Sequence, residues 1–432
     1  MTLPSFAELG VSEPIRAALT AQGYTASTPI QARAIPILLA GKDLLGIAQT
    51  GSGKTAAFAV PILQRLSEHR EPAGARSTHA LILAPTRELA IQIADDCRTY
   101  GKNVGLRIAV IYGGVGQNPQ VQAMARGVDI LIATPGRLLD LIEQGHVRLD
   151  RARTFVLDEA DRMMDMGFIR DVRRIVAKLP RDRQSLLFSA TMPTDIARLA
   201  GEMLRSPERV DLAPSGVAVE RIEQRVIHVA AADKRRLLAD LLRDPGMTRV
   251  IVFTRTKHGA NRVAEHLDRA KVAADAIHGN KSQSARQRAL DGFRAGHVRV
   301  LVATDIASRG IDVDDISHVV NFDIPNVPED YVHRIGRTAR AGSGGAAIAL
   351  CDPSERPFLK AIEKLTRKTL VVATHELPAA GPADRAPDEP RRHERRDGGR
   401  DGARHGRGRN QRSSPAPRRE RDRDSYRSHQ PR

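Results

Sequence analysis

The chain has 432 residues, a formal charge of +17 at pH 7 and an isoelectric point near 10.5. That length exceeds one average core and favours two or three domains, and the charge favours nucleic acid over an anionic membrane surface as the partner. Aromatic residues make up 3% and Trp is absent, which weighs against extensive base stacking and for contacts to a sugar-phosphate backbone.

Only Cys97 and Cys351 are present, in neither a CxxC nor a Cys/His spacing, so neither a disulfide framework nor a zinc site is expected. The start, Met1-Thr2-Leu3-Pro4-Ser5, has no basic or apolar leader region, and no apolar run approaches membrane-spanning length. The expectation is a soluble cytoplasmic protein with no membrane partner.

From residue 1 to about 205, short apolar runs alternate with helical patterns, the sign of a parallel sheet covered on both faces. Candidate strands are Leu44–Ala48, Ala80–Ala84, Arg107–Ile111, Ile130–Ala133, Thr154–Leu157 and Ser185–Phe188. The first runs into Ala48, Thr50, Gly51, Ser52, Gly53, Lys54 and Thr55, a glycine-rich turn ending in Lys-Thr before an amphipathic run. This is a P-loop pattern: the glycine backbone wraps a phosphate, Lys54 reaches the β/γ-phosphates and the Thr55 hydroxyl ligates Mg²⁺.

Phe155-Val156-Leu157 reads as a buried strand that delivers Asp158, Glu159 and Asp161 at its C-terminal end, where α/β sheets place ligands. With a P-loop upstream, Asp158 is expected to hold Mg²⁺, mainly through water, and Glu159 to orient or deprotonate the attacking water. ATP and Mg²⁺ are thus the expected cofactors.

A polar stretch around 206–220 reads as a linker, followed by a second α/β series over 221–370 with no P-loop. Its candidate strands are Arg225–Val229, Val250–Phe253, Ala273–Ile277, Val300–Ala303, His318–Asn321 and Ala346–Leu350. Apolar residues then vanish, and 378–432 reads as a disordered tail; from Gly381 onward it holds 16 Arg against 9 Asp and Glu, interleaved with glycine. A nucleic-acid tether outweighs an inert linker for that segment.

Asp158-Glu159-Ala160-Asp161 spells the motif for which the DEAD-box RNA helicases are named, and the chain resembles that family from about Phe6 to Leu370. Gly113–Gln120, the short core and the Arg-rich tail resemble the bacterial RhlE-type group. The resemblance implies two tandem RecA-like parallel-sheet domains, 1–205 carrying the nucleotide and 221–370 carrying arginine fingers. Thr28-Pro29-Ile30-Gln31 with Gly23-Tyr24 and Phe6 resembles the adenine-reading Q motif, which implies that Gln31 bonds the base edge and Phe6 or Tyr24 packs on it. Pro85-Thr86-Arg87, Gly113-Gly114 and Thr134-Pro135-Gly136-Arg137 resemble the motifs that hold RNA phosphates without base readout. Ser189-Ala190-Thr191 resembles motif III, which with Asp161 and His333 implies coupling between hydrolysis and strand separation.

In the second series, Thr254 and Arg255 fall in a stretch similar to motif IV, Gln283 to Arg286 in a QxxR element, and Thr304 to Asp312 in motif V. By resemblance Thr254, Arg255, Arg286 and Thr304 contact RNA and Asp312 meets the ribose. His333 to Arg340 is similar to motif VI, which implies that Arg337 and Arg340 act at the γ-phosphate; Ala339 stands where the family usually has glycine. The implied activity is ATP-dependent, sequence-independent RNA binding and local unwinding by a monomer, with ribosomal-precursor and RNA-decay assemblies as candidate settings. An ATP-gated RNA clamp or annealing chaperone, and a DNA translocase of the same tandem architecture, are the competing readings.

Overall fold

Each of the two apolar series forms a seven-stranded parallel sheet. The computed structural model describes residues 3–49, 51–212, 222–308, 313, 315–339 and 344–375. The expected tail over 378–432, residues 213–220 of the expected linker, and the site candidates Thr50, Asp312 and Arg340 lie outside the described residues.

The first sheet comprises β1 (Leu44–Ile47), β2 (Thr78–Leu83), β3 (Ile108–Ile111), β4 (Val128–Ala133), β5 (Thr154–Leu157), β6 (Gln184–Ser189) and β7 (Glu208–Asp211), in the order β3-β4-β2-β5-β6-β1-β7. The second comprises β8 (Ile222–His228), β9 (Val250–Phe253), β10 (Ala274–Ile277), β11 (Val300–Ala303), β12 (His318–Asn321), β13 (Gly345–Cys351) and β14 (Val371–Val372), in the order β10-β11-β9-β12-β13-β8-β14. Position by position the two orders are the same, so the second half repeats the topology of the first.

The strands read as near-continuous apolar runs because helices cover both faces, as parallel sheets require. β1, β2, β5, β6, β9 and β11 are buried at every position. In the first half two apolar layers form, one where Phe58 of helix Lys54–Glu68 meets Phe188 of β6 at a ring-centroid distance of 5.5 Å, the other around Phe155, Leu187 and Met163.

Both domain boundaries shift slightly from the sequence expectation. β7 lies inside the stretch read as a linker and pairs with β1, Leu44 opposite Glu208. Only Val210 of its four residues is buried, so this edge strand carries too little apolar signal to be seen in sequence. At the other end β14 extends the second sheet beyond residue 370, pairing with β8.

A charged cluster is built into the second half. Lys234 Nζ donates to the Phe322 carbonyl at 2.9 Å and lies 3.3 Å from Asp352 Oδ2, and it also pairs with Glu355. Glu355 accepts from Arg255 Nη2 at 2.7 Å and from the Ile324 amide at 3.1 Å. Lys234 and Glu355 are both buried, so the ammonium relies on Glu355 and Asp352 for compensation, and the Glu355 carboxylate on Lys234 and Arg255.

Candidate active site and nucleic-acid interface

β1 ends at Ile47, and the chain turns through the glycine loop into helix Lys54–Glu68, whose N-cap is Gly53 at φ 90°. A side chain at Gly53 is excluded by close approach as well as by conformation, because a Cβ there would lie 2.6 Å from Gln31 Nε2. Lys54 is buried, and its Nζ donates to the Ala48 carbonyl at 2.9 Å, which holds the ammonium over the loop. Ser52 Oγ donates to the Gln49 carbonyl at 2.7 Å and closes the turn.

The Q-motif residues brace this loop. Gln31 is fully buried; its Oε1 accepts from the Thr28 amide at 2.8 Å and its Nε2 donates to the Gly53 carbonyl at 3.1 Å. One end of the amide thus caps its own helix at Thr28 and the other ties that helix to the loop at Gly53, a tie that the adenine reading of Gln31 did not include. Phe6 and Tyr24 pack edge to face with centroids 6.3 Å apart, and the Tyr24 and Tyr100 hydroxyls are 2.8 Å apart.

A cavity of about 470 Å³ opens above the loop, lined by Gly51, Gly53, Lys54, Thr55, Asp158, Glu159, Glu88 and Tyr24 and, from the second half, Gln287, Leu290 and Arg294. Tyr24 is thus on its wall, while Phe6 lines a separate hollow of about 610 Å³ with Tyr24 on its other side.

Asp158 and Glu159 follow β5 directly. Burial pushes the Asp158 carboxyl up to about 6, opposed by Lys54 and reinforced by Glu159. Glu159 sits in the left-handed region at φ 53°, a conformation that costs a non-glycine residue about 1–3 kcal/mol and recurs at functional sites. Its Oε2 accepts from Arg162 Nη1 at 2.7 Å, both side chains being buried, so a guanidinium one helical turn on fixes the carboxylate. The Asp158 carboxylate and the Thr55 hydroxyl on one cavity are the hard oxygen donors that suit Mg²⁺.

Asp161 reaches motif III. Its Oδ2 accepts from the Ala190 amide at 3.1 Å, the Thr191 amide at 2.9 Å and the Thr191 hydroxyl at 3.0 Å, while its own amide donates to Ser189 Oγ at 3.3 Å. His333 lies close enough to feel Arg162, Asp161 and Arg337; burial, then Arg162, holds its imidazole below the ordinary histidine value. Arg337 is buried but is not among the residues lining the cavity above the loop.

A second cavity, of about 300 Å³, collects the predicted phosphate-binding motifs. Pro85, Thr86, Arg87, Gly113, Thr134, Gly136 and Arg137 line it from the first half, and Gly279, Lys281 and Arg286 from the second. Gly114 is not on that wall but permits it: at φ 76° a Cβ there would stand 2.3 Å from Arg87 Nη1, so only glycine lets the guanidinium lie against the turn. Thr86 caps helix Arg87–Tyr100, accepting from the Leu89 amide, and Thr134 with Pro135 opens helix Pro135–Glu143. Arg137 Nη1 donates to the Val115 carbonyl at 3.1 Å.

Besides Gly114, four predicted RNA contacts are not on this wall: Pro135, Thr254, Arg255 and Thr304. Arg255 Nη2 is bonded to Glu355 and the Ile324 carbonyl, at 2.7 Å and 2.8 Å, which ties it into the second half. Thr254 is fully buried and Thr304 nearly so, both bonded into strand ends. Sequence reasoning in turn passed over Glu88, Arg162 and Lys281. Glu88 directly follows the quoted Pro85-Thr86-Arg87 run and lines both cavities. Arg162 carried a signal as well, its i, i+3 spacing from Glu159. Arg334 also proved structural, bonded to Asp305, Asn321 and the Asp323 carbonyl over the Phe253 ring.

Residues 28–199 match the DEAD/DEAH box helicase family and residues 233–342 the helicase conserved C-terminal domain. The chain is 42% identical over 368 residues to the DEAD-box ATP-dependent RNA helicase CshA of Bacillus cereus, covering 85% of this chain and 69% of that protein. It is 46% identical over 369 residues to the ATP-dependent RNA helicase RhlB of Pseudomonas syringae, covering 84% and 93%. Among solved structures, S. cerevisiae Dbp5 bound to RNA and ADP BeF3 matches with a TM-score of 0.76 at 33% identity, covering 85% of this chain and 95% of that one. Mss116p bound to ssRNA and AMP-PNP matches with a TM-score of 0.77 at 28% identity, covering 87% and 80%. With a glycine loop ending in Lys-Thr and a left-handed glutamate arranged on two RecA-like sheets, the chain belongs to the DEAD-box ATP-dependent RNA helicases.

Proposed function

We propose that ATP and RNA act on this chain as joint ligands of one closed arrangement of its two halves, and that closure opens short RNA duplexes locally. The observation that carries this is that residues of both halves line the nucleotide cavity and the phosphate-binding cavity alike. A ligand that touches both halves favours the closed state over the open one, so each ligand strengthens binding of the other.

In this reading Lys54 leaves the Ala48 carbonyl for the β/γ-phosphates, and Arg162 keeps the Glu159 carboxylate aimed at the attacking water. Thr55, and Asp158 mainly through water, would hold Mg²⁺, which would supply positive charge against the phosphate oxygens. Arg337 and Arg340 serve as arginine fingers, and their loss of the γ-phosphate after hydrolysis lets the halves part. Arg87, Arg137, Lys281 and Arg286, with the Thr86 and Thr134 hydroxyls, hold phosphate oxygens, so binding is independent of sequence. A strand bent by these contacts cannot stay in an A-form duplex. Action as a monomer in the cytoplasm, on precursors of ribosomal RNA or on decaying transcripts, fits a chain whose described helices include none long and apolar enough to cross a membrane.

Steady-state ATP hydrolysis with structured RNA, with DNA and alone, beside the Glu159→Gln and Arg340→Ala variants, tests the reading. Stimulation by RNA alone, lost in both variants, supports it; hydrolysis indifferent to RNA overturns it, and full RNA-stimulated turnover by Arg340→Ala removes the arginine-finger step. Strand displacement of a short RNA duplex then separates unwinding from clamping.

A further inference from the structure

The phosphate-binding cavity has an apolar patch that none of the phosphate contacts uses. Phe168 and Met166 line it, opposite a rim that carries Arg87, Arg137, Lys281 and Arg286. Local backbone chemistry fixes the patch. Helix Ala160–Asp165 ends at Met166, Gly167 turns the chain at φ 78°, and the Phe168 amide donates to the Met163 carbonyl at 2.9 Å, a Schellman-type stop. The Val172 amide then donates to the Phe168 carbonyl at 2.9 Å and opens helix Ile169–Val176. Phe168 is thus held between two helix ends, with part of its ring packed on the core of the first half and part exposed to the cavity.

A half-buried aromatic ring on a wall that otherwise offers cations, hydroxyls and glycine amides, with the Glu88 carboxylate taken up by Arg286, matches the two faces of a nucleotide. We propose that Phe168, backed by Met166, is a stacking platform for one nucleobase of the bound RNA strand, whose neighbouring phosphates are taken by the surrounding cations. The inference rests on the reading of this cavity as the RNA cleft. Every base has a π-face, so such a platform adds affinity without sequence preference, in keeping with a wall that has no base-edge readout. Phe168 is the one aromatic among the described residues that line this cavity, so stacking is confined here to one point of the strand. It would fix the register of the strand against Arg137 and Arg286, and the strand would bend about that point.

The test uses the full chain, a single-stranded RNA carrying 2-aminopurine at one position at a time, and a non-hydrolysable ATP analogue. Wild type is expected to quench the probe strongly at one position. Phe168→Leu is expected to lose that quench and to weaken RNA binding about 5- to 100-fold, and Phe168→Tyr to keep both. Thermal midpoints of the two variants report on folding, and the Tyr variant keeps the test valid if the Leu variant unfolds. Quenching equal at every position, or unaltered affinity and quench in a folded Phe168→Leu, overturns the platform. Failure of wild type to bind RNA, or binding insensitive to Arg137→Ala, overturns instead the RNA reading of the cavity on which it rests.

Discussion

Glu88 Oε1 accepts from Arg286 Nε at 2.8 Å and from Gln283 Nε2 at 3.1 Å, which joins the first half to the second at the wall shared by the two cavities. Both partners of the ion pair are buried, and Arg87 Nη1 lies 3.4 Å from Gln283 Oε1 beside it. This carboxylate ties the halves to each other at Arg286 and, on the proposed reading of Arg286 as an RNA contact, would compete there with phosphate. Glu88→Gln should therefore lower the mutual enhancement of ATP and RNA affinities by about 1–3 kcal/mol. The measurement is RNA affinity with and without a non-hydrolysable ATP analogue, and unchanged coupling would refute it.

The imidazole of His333 faces Arg162, Asp161, Arg337 and Asp330, and its pKa is depressed from the usual 6.5 by burial and then by Arg162. A histidine that is harder to protonate folded than unfolded contributes stability that is full above 6.5 and lost as pH falls through its lowered value. Protonation would set a third cation beside Arg162 and Arg337. RNA-stimulated hydrolysis should fall on the acid side of neutrality, and His333→Gln should flatten that limb. An identical acid limb in the variant would assign it to another group.

Ala339 lies at φ 56°, in the left-handed region, at the position where the family usually has glycine. From sequence the change is small for small; the backbone makes it a strained one. Left-handed geometry costs an L-residue roughly 1–2 kcal/mol, partly offset by the greater unfolded-state entropy of glycine. Ala339→Gly should raise the stability of the second half by up to about 1 kcal/mol, read as a higher midpoint in chemical denaturation.

Glu355 compensates Lys234 and Arg255 inside the second half. Removing it by Glu355→Ala leaves the buried Lys234 ammonium with Asp352 as its carboxylate partner, and should cost up to about 3–5 kcal/mol. Arg255→Ala should likewise lower stability while leaving the salt dependence of RNA binding unchanged. Arg137→Ala, by contrast, should reduce the slope of log affinity against log salt by about 1. A reduced slope in Arg255→Ala would return that residue to the RNA interface.

The motifs were legible because their chemistry is local. Lys54 and Thr55 follow a glycine turn, Asp158 and Glu159 end a buried strand, and Arg87 and Arg137 follow strands that all deliver their loops to one sheet edge. Twelve of the strands were likewise visible as apolar runs, since a strand buried on both faces needs no partner to be recognised. β7 and β14 were not, because an edge strand carries little apolar signal and is defined by the neighbour it pairs with.

What the sequence by itself determined is the DEAD-box helicase family and the tandem parallel-sheet architecture, both carried by residues close together in the chain. Tertiary structure alone decided which side chains are spent elsewhere and which meet. Arg255 and Arg334 are engaged in the fold, Gln31 is tied to the Gly53 carbonyl, and Glu88 meets Arg286 across 198 residues of chain. The physical reason is that an arginine or glutamine has the same donors wherever it stands in a sequence, and only the folded chain brings up the acceptor that claims them.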